Sequence, residues 1–243
     1  MLNWTKHPLL EIPSDEVIAA LEPEELLELH ETREEAIRNA QADPYRYGFR
    51  LPHWSRAEEQ LDEVDEILAS GGNRSGKTAW GSYCVVKAAI ENPNSIIMCW
   101  AQTSEVSVRQ QQSAVYNWLP PEYRKKQTGS QTYISYTLKN GFTDNSLILP
   151  NGSQIIFKTY SQYQNNPSII EGAELGSKDP EWHNIGCWLD EYLLGEDLIG
   201  TLRFRLATRN AKMLVTFTPI DGWTEVIKDY LEHAETIETK EAE

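Results

Sequence analysis

Cysteine and histidine are scarce: the 243-residue sequence has three cysteines and five histidines. Cys84, Cys99 and Cys187 lie in apolar surroundings without C-x-x-C spacing, and the histidines show no metal-ligand spacing, which argues against a disulfide framework and a zinc site. No stretch approaches the apolar length of a membrane span, and the N-terminus lacks a signal pattern. The sequence therefore predicts a soluble, intracellular protein with buried free thiols.

Basic residues are also few, with 22 Lys and Arg against 37 Asp and Glu, a net charge of −15. A surface this acidic argues against binding nucleic acid unaided. The excess is uneven, because residues 1–68 hold 17 acids and 6 bases, whereas the rest of the chain carries only −4. The acidity therefore belongs to the leading part, where 14–21 and 23–41 are predicted as two helices separated at Pro23.

One glycine-rich stretch fits the pattern G-x-x-x-x-G-K-[ST] of phosphate-binding loops. Its residues are Gly71, Gly72, Asn73, Arg74, Ser75, Gly76, Lys77 and Thr78. In such a loop the backbone N–H groups surround the phosphates, the lysine contacts the β- and γ-phosphates, and the hydroxyl binds Mg²⁺. The alternative, a glycine turn before an ordinary helix, does not explain the Lys-Thr pair. The stretch predicts a site for a nucleotide and Mg²⁺.

The pattern around the loop alternates between strands and helices. A short apolar run at 67–69 precedes the loop. Helices are expected at 55–67, with Ser55 as the N-cap, and at 79–90, 104–119, 197–209 and 223–233. Buried strands are expected at 95–100, 185–189 and 213–217, and a long polar connection at 161–184. Residues 129–162 instead show the period of antiparallel strands, with a turn at Pro150-Asn151-Gly152. The predicted fold class is α/β, a P-loop NTPase of the ASCE/RecA-like type with a mostly parallel sheet, an inserted antiparallel hairpin and an N-terminal helical extension.

A second half of the site is indicated by Gly186-Cys187-Trp188-Leu189-Asp190-Glu191, an apolar strand that ends in two acids. The carboxyl ends of parallel strands line the ligand crevice, so Asp190 is expected to hold Mg²⁺ and Glu191 to activate the attacking water. The alternative is a strand that ends in a solvated acidic turn. No guanine-reading N-K-x-D tetrapeptide is present, which disfavours a GTPase.

The loop, the acid strand, Val215-Thr216-Phe217-Thr218-Pro219 and Gly222-Trp223-Thr224-Glu225-Val226 occur in this order. Together they resemble the N-terminal ATPase domain of the large terminase subunit of tailed bacteriophages. The resemblance covers about residues 50–232. It implies an ATP hydrolase that drives double-stranded DNA into a procapsid, acting in the host cytoplasm with the portal protein and the small terminase subunit, as a homo-oligomeric ring when assembled and a monomer in isolation.

The resemblance also implies roles for single residues. Arg74 would reach the γ-phosphate, Thr216 and Thr218 would form the coupling motif that senses its loss, and Arg205 would complete a neighbour's site. Trp54 would stack on adenine and Gln60 would read its edge, although a core tryptophan and a surface glutamine fit the sequence equally well.

Three regions are expected: an acidic helical extension at 1–48, the ATPase core at 49–233, and a charged tail at 234–243. The family normally continues into a nuclease domain, so no nuclease activity is expected from this chain alone. The alternatives are another DNA-translocating or helicase-like ATPase, and a nucleotide-dependent ring-assembly module.

Overall fold

The computed structural model describes residues 14–124, 132–191, 196–219, 225–235 and 237. The strands in these ranges are β1 (Glu66–Ser70), β2 (Ile96–Ala101), β3 (Tyr136–Thr137), β4 (Gly141–Phe142), β5 (Ser146–Ile148), β6 (Gln154–Thr159), β7 (Ile185–Asp190) and β8 (Lys212–Phe217). Six of them form one sheet in the order β1-β8-β7-β2-β6-β5. All neighbours in it are parallel except β5 and β6. This confirms the predicted α/β class with a mostly parallel sheet.

Helices cover both faces of this sheet. They are α1 (Asp15–Ala20), α2 (Pro23–Ala42), α3 (Pro44–Tyr47), α4 (Pro52–Gln60), α5 (Lys77–Glu91), α6 (Ser104–Val106), α7 (Ser113–Trp118), α8 (Pro121–Arg124), α9 (Tyr160–Asn165), α10 (Glu196–Ala207) and α11 (Glu225–His233). A π-helical segment, Ser107–Gln112, joins α6 to α7, and 3₁₀ turns occur at Thr143–Asn145 and Pro167–Ile170. None of the described helices is long and apolar enough to cross a membrane.

Alternate residues of β7 belong to two separate hydrophobic clusters. Trp188 faces the cluster that contains α5 and α7, whereas Cys187 and Leu189 face the cluster that contains α10. A strand whose residues are buried on both faces reads as a continuous apolar run, which explains why β7 could be recognised in the sequence. The two clusters hold the sheet between helices and fix the carboxyl ends of β1, β7 and β8 relative to each other.

Two predicted elements differ from the structure. The helix expected at 55–67 with Ser55 as its cap is wrong, because α4 begins at Pro52 and ends at Gln60, and Ile67 lies in β1. Proline is favoured in the first turn of a helix, where its missing N–H costs nothing, and this signal prevails over the capping pattern at Ser55. The connection expected at 161–184 contains α9, which Thr159 and Gln162 cap reciprocally.

The antiparallel part of the chain is divided between two sheets. β5 and β6 form a hairpin, but β6 also pairs in parallel with β2 along its whole length, so it is a strand of the main sheet. Only β3 and β4 form a separate antiparallel pair in the part of the chain that the structure describes. At the N-terminal end of the described chain, Ser14 caps α1, and the 20-residue α2 contributes no buried residue.

Candidate active site

The glycine-rich loop connects β1 to the first turn of α5. Gly76 caps this helix in the left-handed conformation, with a φ of 83°, and Arg74 also has a positive φ of 66°. A Cβ atom at position 76 would lie 2.9 Å from Leu51 Cδ1 and 3.0 Å from Trp54 Cζ2. Both the backbone conformation and the close approach of α4 therefore require glycine here. The turn directs the positive end of the α5 dipole into the loop.

The Lys77 side chain folds back over the loop. Its ammonium group donates hydrogen bonds to the Gly71 and Gly72 carbonyl oxygens at 2.8 and 3.0 Å, and to Ser75 Oγ at 3.2 Å. Lysine has three donors and no acceptor, so these weak neutral acceptors take up all of its donor capacity. Phosphate oxygens are stronger acceptors for an ammonium group, and the same arrangement can hold an anion within the loop.

Asp190, which is distant in the sequence, lies next to the loop in the structure. Thr78 Oγ1 lies 3.3 Å from both carboxylate oxygens of Asp190, a contact between residues 112 positions apart. Thr216 Oγ1 donates to Asp190 Oδ1 at 2.6 Å, and Asp190 is only 3% exposed. The structure thus brings Thr78 and Asp190, the two residues expected to bind Mg²⁺, together at the carboxyl edge of the sheet.

Burial raises the pKa of Asp190 to about 6, and the nearby charge of Glu191 adds to this. Hydrogen bonds from Thr216 and Thr78 and the charge of Lys77 act in the opposite direction. A carboxylate that burial destabilises is one that a bound cation would stabilise. The hydroxyl and carboxylate oxygens are also the hard ligands that Mg²⁺ prefers, so the residues fit this ion.

No group of three or more His, Cys, Asp or Glu side chains within the described residues could hold a metal ion on its own. A site with Thr78 and Asp190 as its protein ligands leaves most of the coordination sphere to other oxygens. Mg²⁺ commonly takes these from water and from nucleotide phosphates. The arrangement therefore suits a metal ion that arrives together with a nucleotide.

Glu191 lies at the same edge but is held differently. Its backbone has a φ of 65°, in the left-handed region that is uncommon for glutamate, and its N–H donates to the Thr216 carbonyl oxygen at 2.8 Å. The carboxylate accepts hydrogen bonds from Thr218 Oγ1 at 2.8 Å and from the Thr218 backbone N–H at 3.2 Å. The acid expected to activate water is thus bound to the element expected to act in coupling.

The other predicted site residues divide into two groups. Arg74 is exposed at the tip of the loop and makes no hydrogen bond with another described residue. Trp54 is 5% exposed and packs against Gly76 and, edge to face, against Trp118, so of its two expected roles the structure favours that of a core residue that supports the loop. Gln60 is partly exposed at the last residue of α4.

Arg205 lies far from the loop within one chain. Its neighbour Arg203 contacts Glu66, the first residue of β1, and Arg209 contacts the Gly176 carbonyl oxygen beside the start of β2. The C-terminal turns of α10 are therefore at the amino edge of the sheet, one strand length or about 13 Å from the loop. A catalytic role for Arg205 requires a second chain.

Sequence reasoning gave no role to two residues that contact the site. His53 Nε2 lies 3.3 Å from the Ser75 carbonyl oxygen of the loop, and Trp188 Nε1 donates to Thr216 Oγ1 at 2.9 Å. Both contacts join distant parts of the chain, and no local spacing signals them. The segment Gly222-Trp223-Thr224 of the expected motif lies outside the described residues.

Comparison with known proteins gives a consistent family. Residues 68–236 match the sequence model of the terminase large subunit, T4likevirus-type, N-terminal. A structure of the large terminase from a thermophilic bacteriophage is 18% identical with a TM-score of 0.51, over 74% of this chain and 41% of that one. The large terminase ATPase domain of Thermus phage P74-26 is 15% identical with a TM-score of 0.51, over 75% and 70% of the two chains.

The matched region thus spans about two-fifths of the first of these terminases, and at such identities the two structures support the fold. A comparison with curated protein sequences finds no match.

Proposed function

The chain belongs to the family of T4-like terminase large subunits, and from this premise we propose that it is a motor domain that hydrolyses ATP with Mg²⁺ to drive double-stranded DNA into a procapsid. The observation that most directly supports ATP hydrolysis is the contact of Thr78 with Asp190 at 3.3 Å, close enough to Lys77 for its charge to act on the carboxylate. A hydroxyl, a carboxylate and a lysine at one helix N-terminus are the parts that phosphoryl transfer needs.

Each residue of the candidate site has a separate role in the proposed reaction. The loop backbone and Lys77 bind the phosphates, and Arg74, exposed and unpaired among the described residues, supplies a second cation to the developing charge. Thr78 and Asp190 would hold Mg²⁺, which supplies Lewis-acid stabilisation of the phosphates when bound. Glu191 orients the attacking water and accepts its proton once its carboxylate leaves Thr218.

The coupling role is best assigned to Thr218, because its contact with Glu191 connects the end of β8 to the catalytic acid. Thr216 is only 1% exposed and its hydroxyl is already donated to Asp190, so it acts on the metal-binding carboxylate. Loss of the γ-phosphate would then be transmitted through Glu191 to Thr218 and to the chain that follows β8.

The partners follow from the family and from charge. At a net charge of −15 the chain is not suited to hold DNA unaided, so contact with DNA is proposed to require a ring of subunits together with the portal protein and the small terminase subunit. The reaction would take place in the host cytoplasm at the procapsid.

The experiment that tests the activity measures ATP hydrolysis and nucleotide binding by the purified chain with and without Mg²⁺. Lys77→Ala should lose nucleotide binding, whereas Glu191→Gln should bind ATP like the parent and lose at least about 100-fold in turnover, the usual contribution of a general base. Hydrolysis by Glu191→Gln at the parent rate would remove Glu191 from this role. A steep dependence of the rate on protein concentration would indicate a site completed between subunits.

A further inference from the structure

Trp188 occupies the middle of β7 and is fully buried, two residues before Asp190 on the same face of the strand. Its indole ring packs on Gly81 of α5, so closely that a Cβ atom at position 81 would overlap the ring. The ring extends across to β8, where Nε1 donates a hydrogen bond to Thr216 Oγ1 at 2.9 Å. One side chain thus connects the helix that follows the loop, the strand with the acids and the strand of the coupling motif.

The hydrogen bond between Trp188 and Thr216 has only one possible direction. An indole N–H can only donate, whereas a threonine hydroxyl has one proton to donate and two lone pairs that accept. Since Trp188 occupies a lone pair of Thr216, the hydroxyl proton goes to an acceptor, either Asp190 Oδ1 at 2.6 Å or the Leu189 carbonyl oxygen at 3.4 Å. The shorter distance and the negative charge favour Asp190.

This direction distinguishes the two oxygens of Asp190. Oδ1 accepts from Thr216 and is also in reach of Thr78, whereas Oδ2 has only Thr78 as a partner among the described residues. Oδ2 therefore keeps the lone pairs that a cation would use.

We propose that Trp188 is a positioning residue for the carboxylate that would bind Mg²⁺: its N–H fixes the Thr216 hydroxyl as a donor to Asp190 Oδ1 and so leaves the lone pairs of Oδ2 available to the ion. The inference rests on the proposed function, since it presupposes that Asp190 binds Mg²⁺. Trp188 acts only through Thr216 and touches no substrate. It also gives a reason for glycine at position 81, because any side chain there would displace the indole ring from Thr216.

The test compares Trp188→Phe with the matched control Trp80→Phe. Trp80 is 2% exposed in the same hydrophobic cluster, and its Nε1 has no hydrogen-bond partner within the described chain, so the same atoms are removed without breaking a hydrogen bond. Calorimetry gives the dissociation constant of ADP in EDTA and in excess Mg²⁺, and the ratio of the two is the gain in affinity that Mg²⁺ provides.

Trp188→Phe should lower this gain about 3- to 10-fold, the equivalent of one buried hydrogen bond, with ADP affinity in EDTA unchanged. Trp80→Phe should keep the parent gain. The double variant with Thr216→Val should lose no more than Thr216→Val alone, because Trp188 acts through that hydroxyl, and Thr216→Ser should retain the parent gain.

A second measurement covers the case in which Trp188→Phe does not fold. The indole ¹H–¹⁵N resonance that moves in Thr216→Ser is assigned to Trp188, and in the ADP-bound parent it should shift when Mg²⁺ is added, while the Trp80 resonance stays in place. An unmoved Trp188 resonance, or an equal Mg²⁺ gain in Trp188→Phe and the parent, overturns this inference and leaves the ATPase proposal intact. A parent chain whose ADP affinity does not respond to Mg²⁺ overturns both.

Discussion

Thr218 holds both oxygens of the Glu191 carboxylate, one through its hydroxyl at 2.8 Å and the other through its backbone N–H at 3.2 Å. The lone pairs that accept these two bonds are not available to an attacking water molecule. Glu191 also has a left-handed backbone, with a φ of 65°, so its orientation depends on its neighbours. Glu191, the catalytic acid of the proposed reaction, is therefore restrained by Thr218, the residue that follows β8 and has the proposed coupling role.

Removal of the Thr218 hydroxyl should release Glu191. Thr218→Val keeps the shape of the side chain and the backbone hydrogen bond but loses the 2.8 Å bond, so the carboxylate reorients at lower cost. We expect basal ATP hydrolysis by the isolated chain to rise about 2- to 10-fold, the effect of one modest hydrogen bond. Steady-state phosphate release at saturating ATP measures this.

Thr218→Ser is the control, because it retains the hydroxyl and should hydrolyse ATP at the parent rate. If Thr218→Val instead loses activity as severely as Glu191→Gln, then Thr218 holds the acid in its working position and the restraint is wrongly assigned.

Two glycines of the loop should respond differently to alanine. Gly76 has a φ of 83° and a Cβ there would press on Leu51 and Trp54, whereas a Cβ at Gly72 would meet nothing within 4 Å. Gly76→Ala should lower the free energy of unfolding by about 1–2 kcal/mol from the left-handed backbone alone, and more from the close contacts. Gly72→Ala should unfold at the parent denaturant concentration. Urea titration of both variants makes the comparison, and equal midpoints would mean that α4 does not support the loop.

The sequence predicted those parts of the candidate site whose residues stand at fixed spacings within one short segment. Lys77 and Thr78 stand at fixed places in one loop, and Asp190 ends a continuous apolar run, so the parallel sheet and the two halves of the candidate site at its edge were predictable. Two contacts could not be predicted from the sequence: the hydrogen bond from Trp188 to Thr216 and the hydrogen bonds from Thr218 to Glu191. Each depends on which atoms of neighbouring chain segments face one another.

The residues expected to bind adenine illustrate the same limit. Trp54 was a candidate because of its place before the loop, and a tryptophan can equally fill a core or stack on a base. The packing of α4 on Gly76 and Trp118 decides its burial, and that packing depends on where α4 begins. Pro52 and Ser55 give competing signals for this start, and the sequence alone favours the wrong one.

Asp190 should destabilise the chain in the absence of a metal. Its folded-state pKa of about 6 is above the ordinary value of 3.8, so the ionised form is disfavoured in the fold. The cost is fully present above pH 6, decreases as the pH falls from 6 to 3.8, and is absent below that range. It amounts to about 3 kcal/mol near neutral pH.

Asp190→Asn removes this charge, so without Mg²⁺ we expect it to be more stable than the parent by up to about 3 kcal/mol at about pH 8, and by about half as much at about pH 5. Urea unfolding in EDTA at the two pH values measures the difference. Mg²⁺ with ADP should stabilise the parent and not the variant. A stability difference that grows as the pH falls would contradict the assigned direction.

Arg205 can be tested by mixing two inactive chains. Arg203 is occupied by Glu66 and Arg209 by Glu174, whereas Arg205 Nε is buried without a hydrogen-bond partner among the described residues, at the edge of the sheet opposite the loop. If Arg205 completes the active site of a neighbouring chain, the Arg205→Ala chain keeps an intact Glu191 but provides no arginine to its neighbour. The Glu191→Gln chain provides the arginine but has no general base in its own site. Each alone should hydrolyse ATP at no more than about 1% of the parent rate, consistent with losses of about 100-fold or more for either group.

A mixture of the two should regain activity, because an arginine from Glu191→Gln can serve an intact site in Arg205→Ala. The gain should depend on total protein concentration, since it needs contact between chains. The matched control is a mixture of Arg203→Ala with Glu191→Gln. Its rate of ATP hydrolysis should be the sum of the two separate rates, because Arg203 is paired with Glu66 within its own chain. A mixture whose rate is the simple sum of its components at every concentration would place the trans-acting arginine elsewhere.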